Sequence, residues 1–132
     1  MIAKIEELKS IRKEKSALEE KERRLARPVL FDQSKIPYIY DIFRTRHNSN
    51  TVMERKVFLF VVIYLYTPST LAGGKMKCGI RNIISQLIGC KQTLVSHSCE
   101  NLLFYYKLYP SFKNDVDTLY NEVMKKLCNY EK

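Results

Sequence analysis

The chain contains no tryptophan, only four glycines and four prolines among its 132 residues, and no cysteine pair spaced C-x-x-C. Its longest apolar run, Val57–Tyr66, is about half as long as the roughly 20 residues that a membrane-spanning helix needs. The opening MIAKIEELKS lacks the long apolar core of a secretory signal. These absences predict a soluble, cytoplasmic protein without a membrane association, whose four cysteines remain thiols.

Acidic residues are scarce relative to basic ones. Asp and Glu number 14 against 23 Lys and Arg, which gives a net charge of +9 and a pI of about 9.4. Such a surplus favours polyanionic partners such as DNA, RNA or acidic lipid. The hydrophobic fraction of 45% is ordinary, so we expect most of the chain to fold around a single core.

Motifs for catalysis, nucleotide binding and metal binding are also missing. The glycine-rich stretch Ser69–Gly79 lacks the spacing and the Gly-Lys-Ser/Thr ending of a phosphate-binding loop. A zinc site built from Cys90, His97 and Cys99 is disfavoured, because His97 and Cys99 are two residues apart and would diverge on a helix. We therefore expect no enzyme activity, no cofactor and no metal, with the cysteines acting mostly as small hydrophobes.

Residues 1–27 form a charged segment rich in helix formers. Ile11, Leu18 and Leu25 repeat every seven residues, but charged side chains occupy most of the intervening core positions. Two interpretations stay open: a solvated helix, or a coiled coil that binds a second copy or a partner protein. Pro28 predicts the end of this helix, and residues 28–50 read as a connector that contains a short helix.

Residues 51–132 are predicted to form a helical domain. A capping box at Thr51–Glu54 opens a helix that is apolar on every side and stops before Pro68. A helical apolar pattern follows over Ile80–Ile88, then a second helix over about residues 92–109, and a last helix capped by Ser111. The fold class is therefore all-α: a helix-turn-helix bundle of four to five helices behind the extended N-terminal helix.

The stretch around Gly89 satisfies the local needs of a helix-turn-helix. Ser85 supplies a small residue where the helices cross, Gly89 permits a left-handed link, and Val95 helps to hold the second helix. The start of that second helix enters the major groove in such motifs. Base contacts are then expected from Lys91, Gln92, Thr93, Ser96 and His97, and phosphate contacts from Lys75, Lys77, Arg81, Arg55, Lys56 and Lys107.

A family resemblance accompanies this pattern. The stretch IGCKQTLVSHSC, with ERKVFLFVVIYLY before it and FKNDVDTLY after it, resembles the C-terminal DNA-binding domain of the bacterial replication initiator DnaA over about residues 54–119. The family signature reads Gly-Gly-Arg-Asp-His-Ser/Thr-Thr-Val, a leucine, then His-Ala-Cys. Here Cys90, Lys91 and Gln92 replace its Arg, Asp and His, while Thr93 is retained. The resemblance implies a DNA-facing helix in an all-α domain, with a target other than the usual DnaA site and without that family's ATPase.

The sequence thus supports two functions of different classes. The first is a non-catalytic protein of bacterial or phage origin that binds double-stranded DNA through the helix at about residues 92–109. The second is a helical protein-interaction or oligomerisation module without DNA binding, in which the polar side chains after Gly89 are merely solvated. Nine tyrosines and six phenylalanines suit the second function, because aromatic side chains build interfaces as readily as cores.

Overall fold

The computed structural model describes residues 1–48 and 51–130, with side chains up to residue 127. Seven α-helices and no strand make up this described part, which confirms the predicted all-α class with more helices than expected. They are α1 (Ile2–Leu25), α2 (Ile36–Arg46), α3 (Val52–Tyr66), α4 (Ile80–Ile88), α5 (Gln92–Cys99), α6 (Leu102–Leu108) and α7 (Pro110–Tyr130).

Helix α3 lies at the centre of the bundle. Thr51 caps it as predicted, since the Thr51 Oγ1 accepts a hydrogen bond from the Glu54 amide at 3.3 Å. Nine of its fifteen residues are buried, so its apolar surface is covered by other helices on nearly every side. Within the part of the chain that the structure describes, no helix combines the length and the apolarity needed to cross a membrane.

Helices α2 and α7 pack against α3 from two directions. The buried face of α7 runs at helical spacing from Phe112 to Leu127, and the Phe43 ring of α2 packs in a tilted orientation on Phe58 of α3, with 5.4 Å between ring centroids. An ion pair between Arg46 and Glu122 joins α2 to α7. The segment 28–50 was predicted as a connector with a short helix, and that helix belongs to the core through the buried residues Ile36, Ile39, Ile42 and Phe43.

A short segment anchors the end of α1 to this bundle. The amides of Val29 and Leu30 both donate to the carbonyl oxygen of Leu65 at 2.9 Å. The Tyr66 hydroxyl donates to the Asp32 carbonyl oxygen at 2.8 Å. Helix α1 itself is described in full and buries none of its 24 residues, so the core of the bundle is built without it.

The single helix predicted over about residues 92–109 is wrong, because two helices occupy that stretch. Helix α5 ends at Cys99, and the chain turns through Glu100 and Asn101 before α6 begins. Asn101 has φ −113° and ψ 9°, a conformation that asparagine tolerates well in turns. Tyr109 is 42% exposed, although a single helix with the apolar spacing of Val95, Cys99, Leu102 and Tyr106 would place it on the buried face.

The start of the last helix also differs from the sequence-based expectation. Proline at the first helical position needs no amide partner, so α7 begins at Pro110 and Ser111 is not its cap. Tyr109 stands before it in an extended conformation, as the residue before a proline prefers. A 3-10 turn at Pro68–Ala72 likewise fills part of the stretch that was predicted as an irregular loop.

Candidate nucleic-acid interface

Helices α4 and α5 meet at a tight left-handed link. Gly89 has φ 79° and ψ 37°, and the amides of Gly89 and Cys90 both donate to the Ser85 carbonyl oxygen, at 2.9 and 3.0 Å. A Cβ at Gly89 would meet no atom of the described residues within 4 Å, so the backbone angle alone calls for glycine. This confirms the left-handed link predicted at Gly89, and Ser85 is buried as a small crossing residue would be.

Helix α5 contacts the core through one narrow face. Val95 is 1% exposed and Cys99 9% exposed, and both pack with Ile84 of α4 in the same cluster. Burial raises the pKa of the Cys99 thiol to about 11, although the nearby Arg81 guanidinium opposes that rise. Cys99 is therefore a neutral, space-filling side chain. The spacing of four between Val95 and Cys99 fixes which face of α5 points away from the core.

That outward face is polar, as the sequence predicted. Lys91, Gln92, Thr93 and His97 are exposed, and Ser96 is half-buried at the edge of the contact with the core. The Gln92 Nε2 donates to the Asn82 Oδ1 at 3.3 Å, which ties the first turn of α5 to α4. The Ser96 Oγ donates to the Gln92 carbonyl oxygen at 3.3 Å, so this hydroxyl is directed along its own helix.

The two ends of α5 differ in charge. Lys91 precedes the first helical residue and no side chain caps this end, so its lysine charge adds to the positive end of the helix dipole. At the other end, the Glu100 Oε1 lies 3.8 Å from the His97 Nδ1. An approaching polyanion is therefore attracted to the start of α5 and repelled from its end.

Basic side chains border α5 on both sides. On one side, Lys75 and Arg81 line the same depression as Ser96 of α5. On the other side, Arg55 and Lys56 at the start of α3 line a cleft that includes Leu94. The structure thus brings together four of the six predicted phosphate-contacting residues around one helix.

The remaining two basic residues lie in other surroundings. The Lys77 Nζ lies 5.6 Å from the centre of the Phe31 ring, away from the two depressions that flank α5. Lys107 is an exposed residue of α6, beyond the turn at Glu100, and lines neither depression. Among the bordering four, Lys56 contacts an aromatic face, because its Nζ lies 4.2 Å from the centre of the Tyr105 ring.

Two residues of this surface were not predicted from the sequence. Asn82 orients Gln92, yet it lies on α4 ten positions earlier and nothing in the pattern pairs the two amides. Leu94 is 48% exposed beside the cleft next to α3, although apolar residues are expected to face inward. Its position, directly before the buried Val95, was the available signal, because neighbouring residues on a helix diverge by about 100°.

No group of three or more histidine, cysteine or acidic side chains gathers as a metal site within the part of the chain that is described. Cys78, Cys90 and Cys99 are free thiols, and the side chain of Cys128 lies outside the described residues. No protein-family model, curated protein or solved structure matches this chain. The likeness to the DnaA domain therefore stays a prediction based on the quoted residues.

Proposed function

We propose that this chain is a non-catalytic protein that binds double-stranded DNA by inserting the start of α5 into the major groove. The supporting observation is the exposed polar face of α5, which lies between two pairs of basic side chains while the opposite face is buried. A helix held this way presents side chains to base edges and cations to both flanking phosphate backbones. Such a protein would act in the cytoplasm of a bacterium or a phage-infected cell.

Each residue around α5 has a role that suits its chemistry. Gln92 can pair with an adenine edge, and its bond to Asn82 restricts its orientation before DNA arrives. Thr93 and His97 extend the polar reading surface, and Leu94 offers an apolar contact for a thymine methyl group. Lys75, Arg81, Arg55 and Lys56 neutralise phosphates, and Lys91 contacts a base or a phosphate at the positive end of α5.

The first test is the salt dependence of binding to random duplex DNA, measured by fluorescence anisotropy. About four to six phosphate contacts give a log–log slope of binding constant against salt of roughly −4 to −5. Arg81→Ala should reduce that slope by about one. Lys125→Ala on α7 is the matched control, because its exposed side chain lines a depression with Glu122 and not with α5. An affinity that hardly changes with salt contradicts the proposal.

The second test asks whether Gln92 reads sequence. Selection of bound duplexes from a random pool, with the natural chain and with Gln92→Ala, should show one relaxed position that costs about 1–3 kcal/mol of discrimination. Lys91→Ala distinguishes the two roles proposed for Lys91. Loss of a phosphate contact weakens binding to all sequences alike, whereas loss of a base contact changes the selected sequence. An unchanged selection with Gln92→Ala removes this residue from the reading surface.

A second candidate function, a helical interaction module, is favoured by α1. That helix is fully described, buries nothing, and exposes several large apolar side chains. Deleting residues 1–27 discriminates between the functions, since the core does not include them. If the shortened chain no longer forms oligomers but still binds DNA, the two functions belong to separate regions. If neither form binds DNA, the interaction module alone remains.

A further inference from the structure

Four large apolar side chains of α1 lie on one stripe that the rest of the described chain leaves mostly exposed. Leu8 is 53% exposed, Ile11 52%, Leu18 67% and Leu25 75%. A helix in water gains most of its stability from burying such a stripe against something else. The stripe therefore marks α1 as half of an interface.

The heptad pattern assigns a position to each residue of this stripe. The assignment with the most apolar core positions puts Leu8 at an a position and Ile11, Leu18 and Leu25 at d positions. The other core positions are Met1, Lys4, Lys15 and Glu22, and the flanking g positions are Glu7, Glu14 and Lys21. Charges at three of the eight core positions mean that the orientation of a partner helix is set by electrostatics.

A groove already lies along the C-terminal half of the stripe. One wall is formed by α1 and the other by the 3-10 turn that follows α3, and the volume between them is about 430 Å³. Pro68, Ala72 and Gly74 are among the residues of the second wall. The α1 wall consists of Leu18, Lys21, Glu22, Leu25 and Ala26, of which the first four are core or g positions.

A parallel pairing with a second copy conflicts with the charges. It would place Lys4, Lys15 and Glu22 each against its own counterpart in the core of the interface. It would also set Glu14 of one copy beside Glu19 of the other at the flank. Each of these contacts brings like charges together, so a parallel coiled coil of α1 is opposed by its own sequence.

An antiparallel pairing removes these conflicts along the groove. Leu18 then meets Leu8 of the second copy, and Leu25 meets Met1. Glu22 meets Lys4 of the second copy, and Lys21 meets Glu7. Every core or g residue of the α1 wall thus faces a side chain of matching chemistry. We propose that α1 binds α1 of a second copy in this antiparallel register, with the first two turns of each copy lying in the groove of the other.

The centre of the interface limits its strength. Near the two-fold axis, Ile11 meets the aliphatic stem of Lys15, whose ammonium group reaches outward to solvent. Arg12 faces Arg12, and Glu14 faces Glu14, on the two flanks of the axis. The dimer is therefore weaker than an apolar zipper and forms at higher protein concentration.

A charge exchange on the full chain tests the orientation. Sedimentation velocity over a range of protein concentrations should show a monomer–dimer equilibrium. Lys21→Glu places two repulsive pairs in the antiparallel dimer and weakens it by about tenfold. Glu7→Lys does the same, and the double variant recovers the natural affinity. Lys13→Glu is the matched control, since it makes the same charge change on the outer face of α1 and should leave dimerisation unchanged.

Several outcomes would overturn the proposal. A parallel dimer predicts that Lys21→Glu has no effect, because Lys21 would face Ala26, and that the double variant fails to recover. A chain that stays monomeric at every concentration also rejects it. The proposal deepens the interaction-module candidate and does not depend on DNA binding, since sedimentation is measured without DNA. Circular dichroism of each variant shows whether the bundle, which buries nothing of α1, remains folded.

Discussion

Helices α1 and α3 differ in both the helix preference of their residues and the extent of their burial. Helix α3 is built largely from valine, isoleucine and aromatic residues, which are weak helix formers, yet it buries nine of its fifteen residues. Helix α1 is built from strong helix formers, with opposite charges spaced four apart such as Glu19 and Arg23, and it buries none of its 24 residues. Tertiary packing within the bundle makes α3 a helix, whereas α1 depends on the helix preference of its residues and on a contact outside the bundle.

This difference separates the residues that hold the fold from those left for binding. Substitutions in α3 act on the core, whereas substitutions in α1 act on whatever α1 contacts outside the bundle. Helix α5 stands between these extremes, since it buries only Val95 and Cys99 and leaves its other residues exposed or half-buried. Stability and binding should therefore respond to different sets of substitutions.

The largest effect is expected from Ile63→Ala in α3. Ile63 is fully buried, so its truncation leaves a cavity and lowers the free energy of unfolding by about 2–5 kcal/mol. Urea denaturation followed by circular dichroism measures this change. A loss below about 1 kcal/mol, which is typical of a surface position, contradicts the central place of α3.

The next effect is expected at the link between α4 and α5. Gly89→Ala forces a Cβ into the left-handed region at φ 79° and costs about 1–2 kcal/mol of stability. Gly89→Asn is the matched control, because asparagine tolerates this region better and should cost less. Since no neighbouring atom lies within 4 Å of the added Cβ, equal losses for the two variants contradict a purely conformational origin.

A smaller, pH-dependent effect is expected from Tyr66→Phe. At neutral pH the variant loses the 2.8 Å hydrogen bond to the Asp32 carbonyl oxygen and about 1 kcal/mol. Burial, with the nearby Asp32 carboxylate, raises the pKa of Tyr66 from 10.0 to about 12. The folded state thus favours the neutral phenol, and its contribution is complete below pH 10 and lost between pH 10 and about 12.

Denaturation as a function of pH checks that sign. The natural chain should lose stability above pH 10, and Tyr66→Phe should lose less over the same range. Cys99 titrates in the same pH range, because burial raises its thiol pKa from 9.0 to about 11. Some loss of stability at alkaline pH therefore persists in the variant. If stability falls equally with pH in the two proteins above pH 10, the fold does not oppose the ionisation of Tyr66.

The features that followed from sequence are those with a local cause. The cap at Thr51, the end of α3 before Pro68 and the left-handed Gly89 each depend on one residue and its immediate neighbours. The polar face of α5 follows from the same reasoning, since the burial of Val95 and Cys99 determines which side points outward.

The features that did not follow depend on distant contacts or on weak signals. The apolar spacing runs unbroken from Cys99 through Leu102 to Tyr106, so periodicity could not reveal the turn at Glu100 and Asn101. A short helix was predicted within residues 28–50 and is present as α2, but its core role arises from partners such as Phe58 that are distant in sequence. Arg55 and Lys56 were predicted as phosphate contacts, but their position beside α5 depends on the packing of α3 against that helix.

The smallest effect on stability is expected from Ile11→Ala in α1, which removes the same atoms as Ile63→Ala. Ile11 is 52% exposed and the truncation leaves no cavity in the bundle. Alanine is also the better helix former by a few tenths of a kcal/mol, so the unfolding free energy of dilute protein should change by less than about 0.5 kcal/mol. The same variant should weaken self-association, because Ile11 lies at the centre of the proposed interface.

Denaturation of dilute samples, compared with sedimentation of concentrated ones, separates the effect of Ile11→Ala on stability from its effect on self-association. A loss of stability in dilute samples comparable to that of Ile63→Ala would mean that α1 belongs to the folded core after all.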